Sequence, residues 1–371
     1  MSVLTRRHAA PATRLRYQRP QLPPLSAVAP YYAMSEAAHW YSNGGPCHEL
    51  LVERLEARMA NGALALPVGN ATLGLMVALP AVTQDASPVR DLIVTPSYTF
   101  AAAVAAIRWT GRQPLMVDVD PDHWQLDEHA LERALERHGR RVAAVLATST
   151  FGTPAPAATR ARWAAACDAA AVPLVVDSAA AFGATFEDGA WLGTQGAAEV
   201  FSFHATKPFA TGEGGLVTTR SPELRDRMAR LVNFGFDGSR TVVEGMGMNA
   251  KLSELQCAMS LAALDGFDTV LESRRARAER LRARGLEPFR HDAVPEAVMR
   301  FRQGVGRLIR RATDRGVLVV CDPRLARASY RGPFRAALPV EPRLWKDPRG
   351  LAHEVGLFLA HEHDDDQEES P

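Results

Sequence analysis

Between residues 92 and 177 the chain alternates short, almost wholly apolar runs with longer segments of helical spacing. "DLIVTP", "QPLMVDVD", "RVAAVLATS" and "VPLVVDS" have strand length, lack a polar face and end in turn or polar residues. That pattern predicts strands of a parallel sheet buried on both sides. The intervening "TFAAAVAAIRWTG", "DEHALERALERHG" and "AATRARWAAACDAAA" carry apolar residues at helical spacing, as does "HELLVERLEARMA" upstream. "TLGLMVALPAV", preceded by Asn70, reads as a buried helix. The rhythm predicts an α/β domain: a mostly parallel sheet with helices on both faces and its functional groups at the carboxyl ends of the strands.

The texture changes at both ends. Residues 1–25, rich in Arg and Pro, predict an extended arm, and residues 26–285 the main domain. "LESRRARAERLRARGLEPFR" is an Arg-heavy helix leading into a separate unit over 286–345, whose pattern is helix, turn, strand and short helix. Residues 346–371 end in the charged tail "HEHDDDQEESP", which has the composition of a solvated segment; its His361 and His363 are not assigned to a metal. A formal net charge of +1 argues against a wholly basic nucleic-acid coat. The four cysteines form no C-x-x-C pair, so neither a disulfide framework nor a structural zinc is expected. Since no apolar run approaches spanning length, the expected location is cytoplasmic, without a membrane partner.

Two residues raise the question of chemistry. Asp177 ends the apolar run "VPLVV", and Lys207 lies in "FSFHATKPFATGEGG", between an apolar run and a glycine-rich turn. Alone, each has a bland explanation: a turn carboxylate and a solvated lysine. Together they match what pyridoxal phosphate requires, namely a lysine for a Schiff base, a carboxylate for the pyridine nitrogen, a phosphate cradle and a flat partner for the ring. "GNATLGL" places Asn70, Ala71 and Thr72 at a helix start, where free N–H groups and the helix dipole favour phosphate. "PSYTF" offers Phe100 to the ring, and Ser202 offers the phosphate a hydroxyl.

With these stretches, together with "RPQLPPLSAVAPY", "VVDSAAAFGA" and "GMNAKLSELQCAMSLAAL", residues 19–275 resemble the DegT/DnrJ/StrS sugar aminotransferases, pyridoxal phosphate enzymes of fold type I. The resemblance implies that Lys207 is the Schiff-base lysine and Asp177 the pyridinium partner. It also implies that Ser202, Ala71 and Thr72 hold the phosphate and that Phe100 stacks on the ring. Asn249 would reach the phosphate of a neighbouring subunit, which implies a homodimer with shared active sites. The implied reaction moves an amino group, with glutamate as the usual donor, to a keto-sugar that is typically nucleotide-linked. Ala180 stands where the family commonly has Gln or His.

Residues 294–340 resemble something else. Gln303, Gly306, Arg307 and Arg310 form Q-x-x-G-R-x-x-R, followed by "DRGVLVVCDPRL", similar to the last motif of DinG/XPD-type helicases. That resemblance implies a small α/β helicase-derived segment whose arginines approach nucleotide phosphates. No G-x-x-x-x-G-K-[ST] loop or D-E-A-H-like box accompanies it, so hydrolysis by this chain is not expected. The alternative function is that of a helicase-related fusion protein that binds ATP or nucleic acid, the latter weakly through the segment's arginines, with the aminotransferase body then an inert scaffold.

Overall fold

The computed structural model describes residues 20–285, residue 298 and residues 331–338. The chain divides into two units, one ending at Glu272 and the other beginning at Ser273, and the sheet belongs to the first. All four strands expected between residues 92 and 177 form: β2 (Leu92–Pro96), β3 (Gln113–Val117), β4 (Val142–Thr148) and β5 (Leu174–Asp177). Three more join them: β1 (Leu64–Val68), β6 (Ala198–Ser202) and β7 (Gly215–Thr219). The spatial order is β1-β7-β6-β5-β4-β2-β3, in which β7 runs antiparallel to both its neighbours and the pairs from β6 to β3 are parallel.

Residue alternation distributes the side chains to two cores. Ile93, Leu146, Val175, Val200 and Val217 point to the face covered by α3 (Ala71–Thr83), α4 (Ala101–Trp109) and α7 (Pro222–Val232). On the opposite face, Val94, Val145 and Val176 pack with α5 (Glu128–His138) and α6 (Ala157–Ala169). Farther along that face, Ala65, Phe201 and Leu216 pack with α1 (Leu25–Ala38), α2 (Pro46–Met59) and α8 (Glu254–Asp265). Strands clothed on both sides need no polar face, which is why their sequence runs are continuously apolar.

Two features bring α3 to the sheet. Asn70 caps its start, its side-chain oxygen accepting the Leu73 N–H at 2.9 Å. Gly74 then lies so near the sheet that a Cβ there would stand 2.9 Å from Val200 Cγ1. The helix therefore meets β6 almost backbone to side chain. The Arg-heavy run forms α9 (Phe267–Ala283), and from the second unit a short helix, α10 (Arg331–Ala336), is described. Gln303, Gly306, Arg307 and Arg310 lie outside the described residues, as do Cys321, His361 and His363.

Glu254 ties together three helices that are far apart in sequence. Fully buried at the start of α8, its carboxylate accepts the N–H groups of Gly45, Cys47 and His48 at 3.1, 2.7 and 3.1 Å, and the Ser35 hydroxyl at 2.9 Å. It thus supplies α2 with the anionic cap that Gly45 lacks and reaches α1 through Ser35. Glu254→Ala strands these donors in the interior and should cost about 3 kcal/mol in denaturant unfolding of the cofactor-free protein. Glu254→Gln keeps the shape and should cost measurably less.

Candidate active site

The carboxyl ends of β5 and β6 bring together residues that are distant along the chain. Asp177, two residues after Val175, and Ser202, two after Val200, extend the α3-facing row of their strands. Ser202 is paired in register with Gly215 of β7. A Cβ at Gly215 would come within 2.7 Å of both the Ala71 nitrogen and the Asn70 carbonyl carbon. Only a residue without a side chain lets the start of α3 settle against the strand end beside Ser202.

Asn70 occupies the Leu73 N–H with its side chain and the Gly74 N–H with its carbonyl, at 2.9 and 3.0 Å. The preceding N–H groups, of Ala71 and Thr72, are the first two of the helix and have no intrahelical acceptor. With the nearby Ser202 hydroxyl, itself buried at 7% exposure, these N–H groups have the polarity to cradle a phosphate.

Asp177 is 4% exposed, and one of its oxygens accepts the Ala179 N–H at 3.1 Å. Burial raises its pKa to about 6, although the Ala179 hydrogen bond and the positive charge of Lys207 both act to lower it. Lys207 is part-buried, and desolvation lowers its pKa while the Asp177 carboxylate opposes the shift. Each group thus feels the other's charge, within a site that penalises both charges.

The loop presenting Lys207 is anchored from below. Phe203 and Phe209, which flank it, are 0% and 1% exposed and stack edge-on at 4.6 Å. Phe209 also packs on Phe182 and Phe267 at 4.9 and 5.0 Å, so the lysine stands on a rigid aromatic base. Across the loop, Thr211 N–H reaches the Phe203 carbonyl and Ala205 N–H the Gly212 carbonyl, at 2.9 and 2.8 Å. Lys207 itself turns back through its N–H onto the His204 carbonyl at 2.9 Å.

The other expected residues are placed as follows. Phe100 is the residue before α4, on the segment leaving β2, and is 75% exposed. Asn249 is exposed next to Ala250, whose carbonyl accepts the Gly69 N–H at 2.8 Å one residue ahead of Asn70. Ala180 abuts the turn after β4, where a Cβ on Gly152 would fall 2.3 Å from its carbonyl oxygen. Beside that turn lie three rings that sequence reasoning did not single out. Tyr98 meets Trp124 edge-on at 5.4 Å, and Phe151 closes the group at 5.5 Å from Trp124. Trp124 and Phe151 adopt φ of 62° and 56°, a backbone region costly for bulky side chains and found where surroundings impose it. No glycine or asparagine marks those positions, so the sequence carried no signal for them.

The DegT/DnrJ/EryC1/StrS aminotransferase family model matches residues 30–302, and the chain belongs to this family. The family and its structural neighbours are pyridoxal phosphate-dependent aminotransferases. The chain is 36% identical over 262 residues to the Mycobacterium tuberculosis protein Rv3402c, spanning 71% of this chain and 63% of that protein. It is 31% identical over 265 residues to dTDP-4-amino-4,6-dideoxy-D-glucose transaminase of Shigella dysenteriae, spanning 69% of this chain and 66% of that enzyme. The chain therefore covers less than two thirds of either relative. Among solved structures it is similar to DesI, crystallised in the presence of its TDP-sugar product, with a TM-score of 0.62, 32% identity and coverage of 82% and 68% of the two chains. The match runs past the boundary expected near residue 285 and stops just short of Gln303. Among the described residues no helix is long and apolar enough to cross a membrane.

The raised pKa of Asp177 has a defined consequence for stability. Between its unfolded value near 4 and its folded value of about 6, the folded chain holds a proton that the unfolded chain has released, so stability falls as pH rises through that window. Asp177→Asn removes this dependence. In the cofactor-free protein, the Tm of the variant relative to wild type should rise from pH 4 to pH 7; a constant difference would show that the carboxyl titrates normally.

Proposed function

We propose that this chain is a pyridoxal phosphate-dependent sugar aminotransferase that moves an amino group from glutamate to the keto group of a nucleotide-linked sugar. The observation that carries the reading is the convergence of groups from three separate stretches of the chain, at residues 71–72, 177 and 202–207, on one sheet end. The Asp177 carboxylate and the Lys207 ammonium interact electrostatically there. Ser202 and the start of α3 are drawn together through Gly215. Similarity to a dTDP-amino-sugar transaminase and to DesI supports the substrate class.

Pyridoxal phosphate, when bound, would supply the electron sink for cleavage of a C–H bond next to the amino group. The chain's residues would do the rest. Ala71 and Thr72 N–H groups and the Ser202 hydroxyl would hold the phosphate, and Phe100 would cover the ring. Asp177 would keep the pyridine nitrogen protonated; a cationic ring beside it would relieve the burial penalty that now raises its pKa. The lowered pKa of Lys207 leaves a larger fraction of neutral amine near pH 7 than a solvated lysine has. A neutral amine is the form that can bond to the cofactor aldehyde and, once released, remove the substrate proton.

A homodimer would bring Asn249 of one copy to the phosphate held by the other. Trp40, Tyr41 and Phe234, each about half exposed, are surface that such a partner would cover. The DinG/XPD-like reading of residues 294–340 rests on sequence alone and adds nothing to this chemistry.

The test is the visible spectrum of the purified full chain with pyridoxal phosphate, followed by borohydride reduction and peptide mapping. The expected result is a cofactor band that glutamate bleaches and a reduced adduct on the Lys207 peptide. Lys207→Ala should lose both, with turnover down on the order of 10^2–10^4-fold. A folded wild-type chain that gives no band overturns the reading.

A further inference from the structure

A second polar cluster lies directly beneath the candidate site, on the other face of the sheet. Ser178 follows Asp177 and so points the opposite way. Its hydroxyl donates to Glu199 Oε1 and is joined to the Ser149 hydroxyl at 2.9 Å. Glu199, the second residue of β6, is 0% exposed. It also accepts the Gly193 N–H at 2.7 Å, the Gln195 N–H at 3.1 Å and the Gln195 side-chain amide at 2.9 Å. The cluster thus links the residues that follow β4 and β5, the first part of β6, and the turn at residues 193–195.

Strand β5 has only four residues and ends at Asp177. Around its end the backbone contacts are the Ser149 N–H onto the Asp177 carbonyl at 2.9 Å, the Ser178 N–H onto the Val200 carbonyl at 2.8 Å and the Ser202 N–H onto the Ala179 carbonyl at 3.2 Å. Beyond them the chain leaves the sheet in a turn, with the Ala181 N–H on the Ser178 carbonyl at 2.8 Å. The direction of the Asp177 side chain therefore depends on how firmly Ser178 is held, alongside the Ala179 N–H that its carboxylate accepts at 3.1 Å. An apolar side chain would fill the space around Glu199 without a buried charge's desolvation cost, so packing alone gives no reason for a carboxylate there. Four donors converging on one carboxylate fix geometry instead.

We infer that Glu199, acting through Ser178, is a positioning residue that aims the Asp177 carboxylate at the cofactor's pyridine nitrogen. The inference rests on the cofactor reading above and adds residues on the far face of the sheet to it. Ser149 completes the relay by donating to Ser178 Oγ while Ser178 donates to Glu199.

The full-length wild type, Ser178→Ala and Glu199→Gln would be loaded with 15N-labelled pyridoxal phosphate. Three readouts follow the cofactor itself: its dissociation constant, its visible circular dichroism and the 15N shift of its pyridine nitrogen. Both variants should bind roughly tenfold more weakly. Their 15N resonance should move from the protonated toward the neutral position, with Asp177→Asn marking the neutral end. Variants that melt lower without cofactor but keep wild-type affinity, dichroism and 15N shift would show a structural role only and overturn the inference. Should Glu199→Gln fail to fold, Ser178→Ala decides, since it leaves the other three donors to Glu199 in place. If wild type binds no cofactor, the cofactor reading fails and this inference falls with it. Wild-type binding with unchanged variants sinks this inference alone.

Discussion

An acid held out of water at the end of a buried strand organises this molecule. Asp177 is the last residue of β5, paired on either side with the parallel strands β4 and β6, and burial there raises its pKa. Such a group is a liability to the isolated fold and an asset only when a cation arrives against it. The features around it share that logic. The aromatic base under Lys207, the close approach of α3 at Gly215 and the Ala71 and Thr72 N–H groups at the helix start would, on the proposed reading, serve a bound cofactor.

β2, β4 and β5 were legible because they are buried on both faces and so read as unbroken apolar runs, whereas β3, also an apolar run, lies at the sheet edge with Met116 51% exposed. β1, β6 and β7 were not delineated: β1 is a five-residue strand containing Pro67, β6 carries the buried Glu199 and ends in Ser202, and β7 ends in two threonines. α1 was missed for a different reason: Pro30 lies within it, and its exposed residues are scattered among apolar ones without a clear stripe. Within the site, Asp177, Lys207, Ser202 and the helix start were legible from residue type and strand-end placement. Gly215 was not, because its meaning depends on register with Ser202 and on a helix that begins at Ala71. The Ser178–Glu199 contact was invisible for the same reason, as two strands must first align before residues 21 apart can meet. The left-handed Trp124 and Phe151 are imposed by their surroundings and leave no trace in local composition.

The antiparallel course of β7 has a kinetic corollary. It makes the Lys207 loop the closed end of a hairpin whose arms, β6 and β7, are adjacent in sequence, whereas Asp177 and the start of α3 must be recruited from farther along the chain. Local closure is entropically cheap and fast, and distant pairing is slow. The lysine's own scaffold can therefore assemble ahead of the groups that would give it a task, and a reactive amine remains innocuous until the rest of the sheet has zipped up around it.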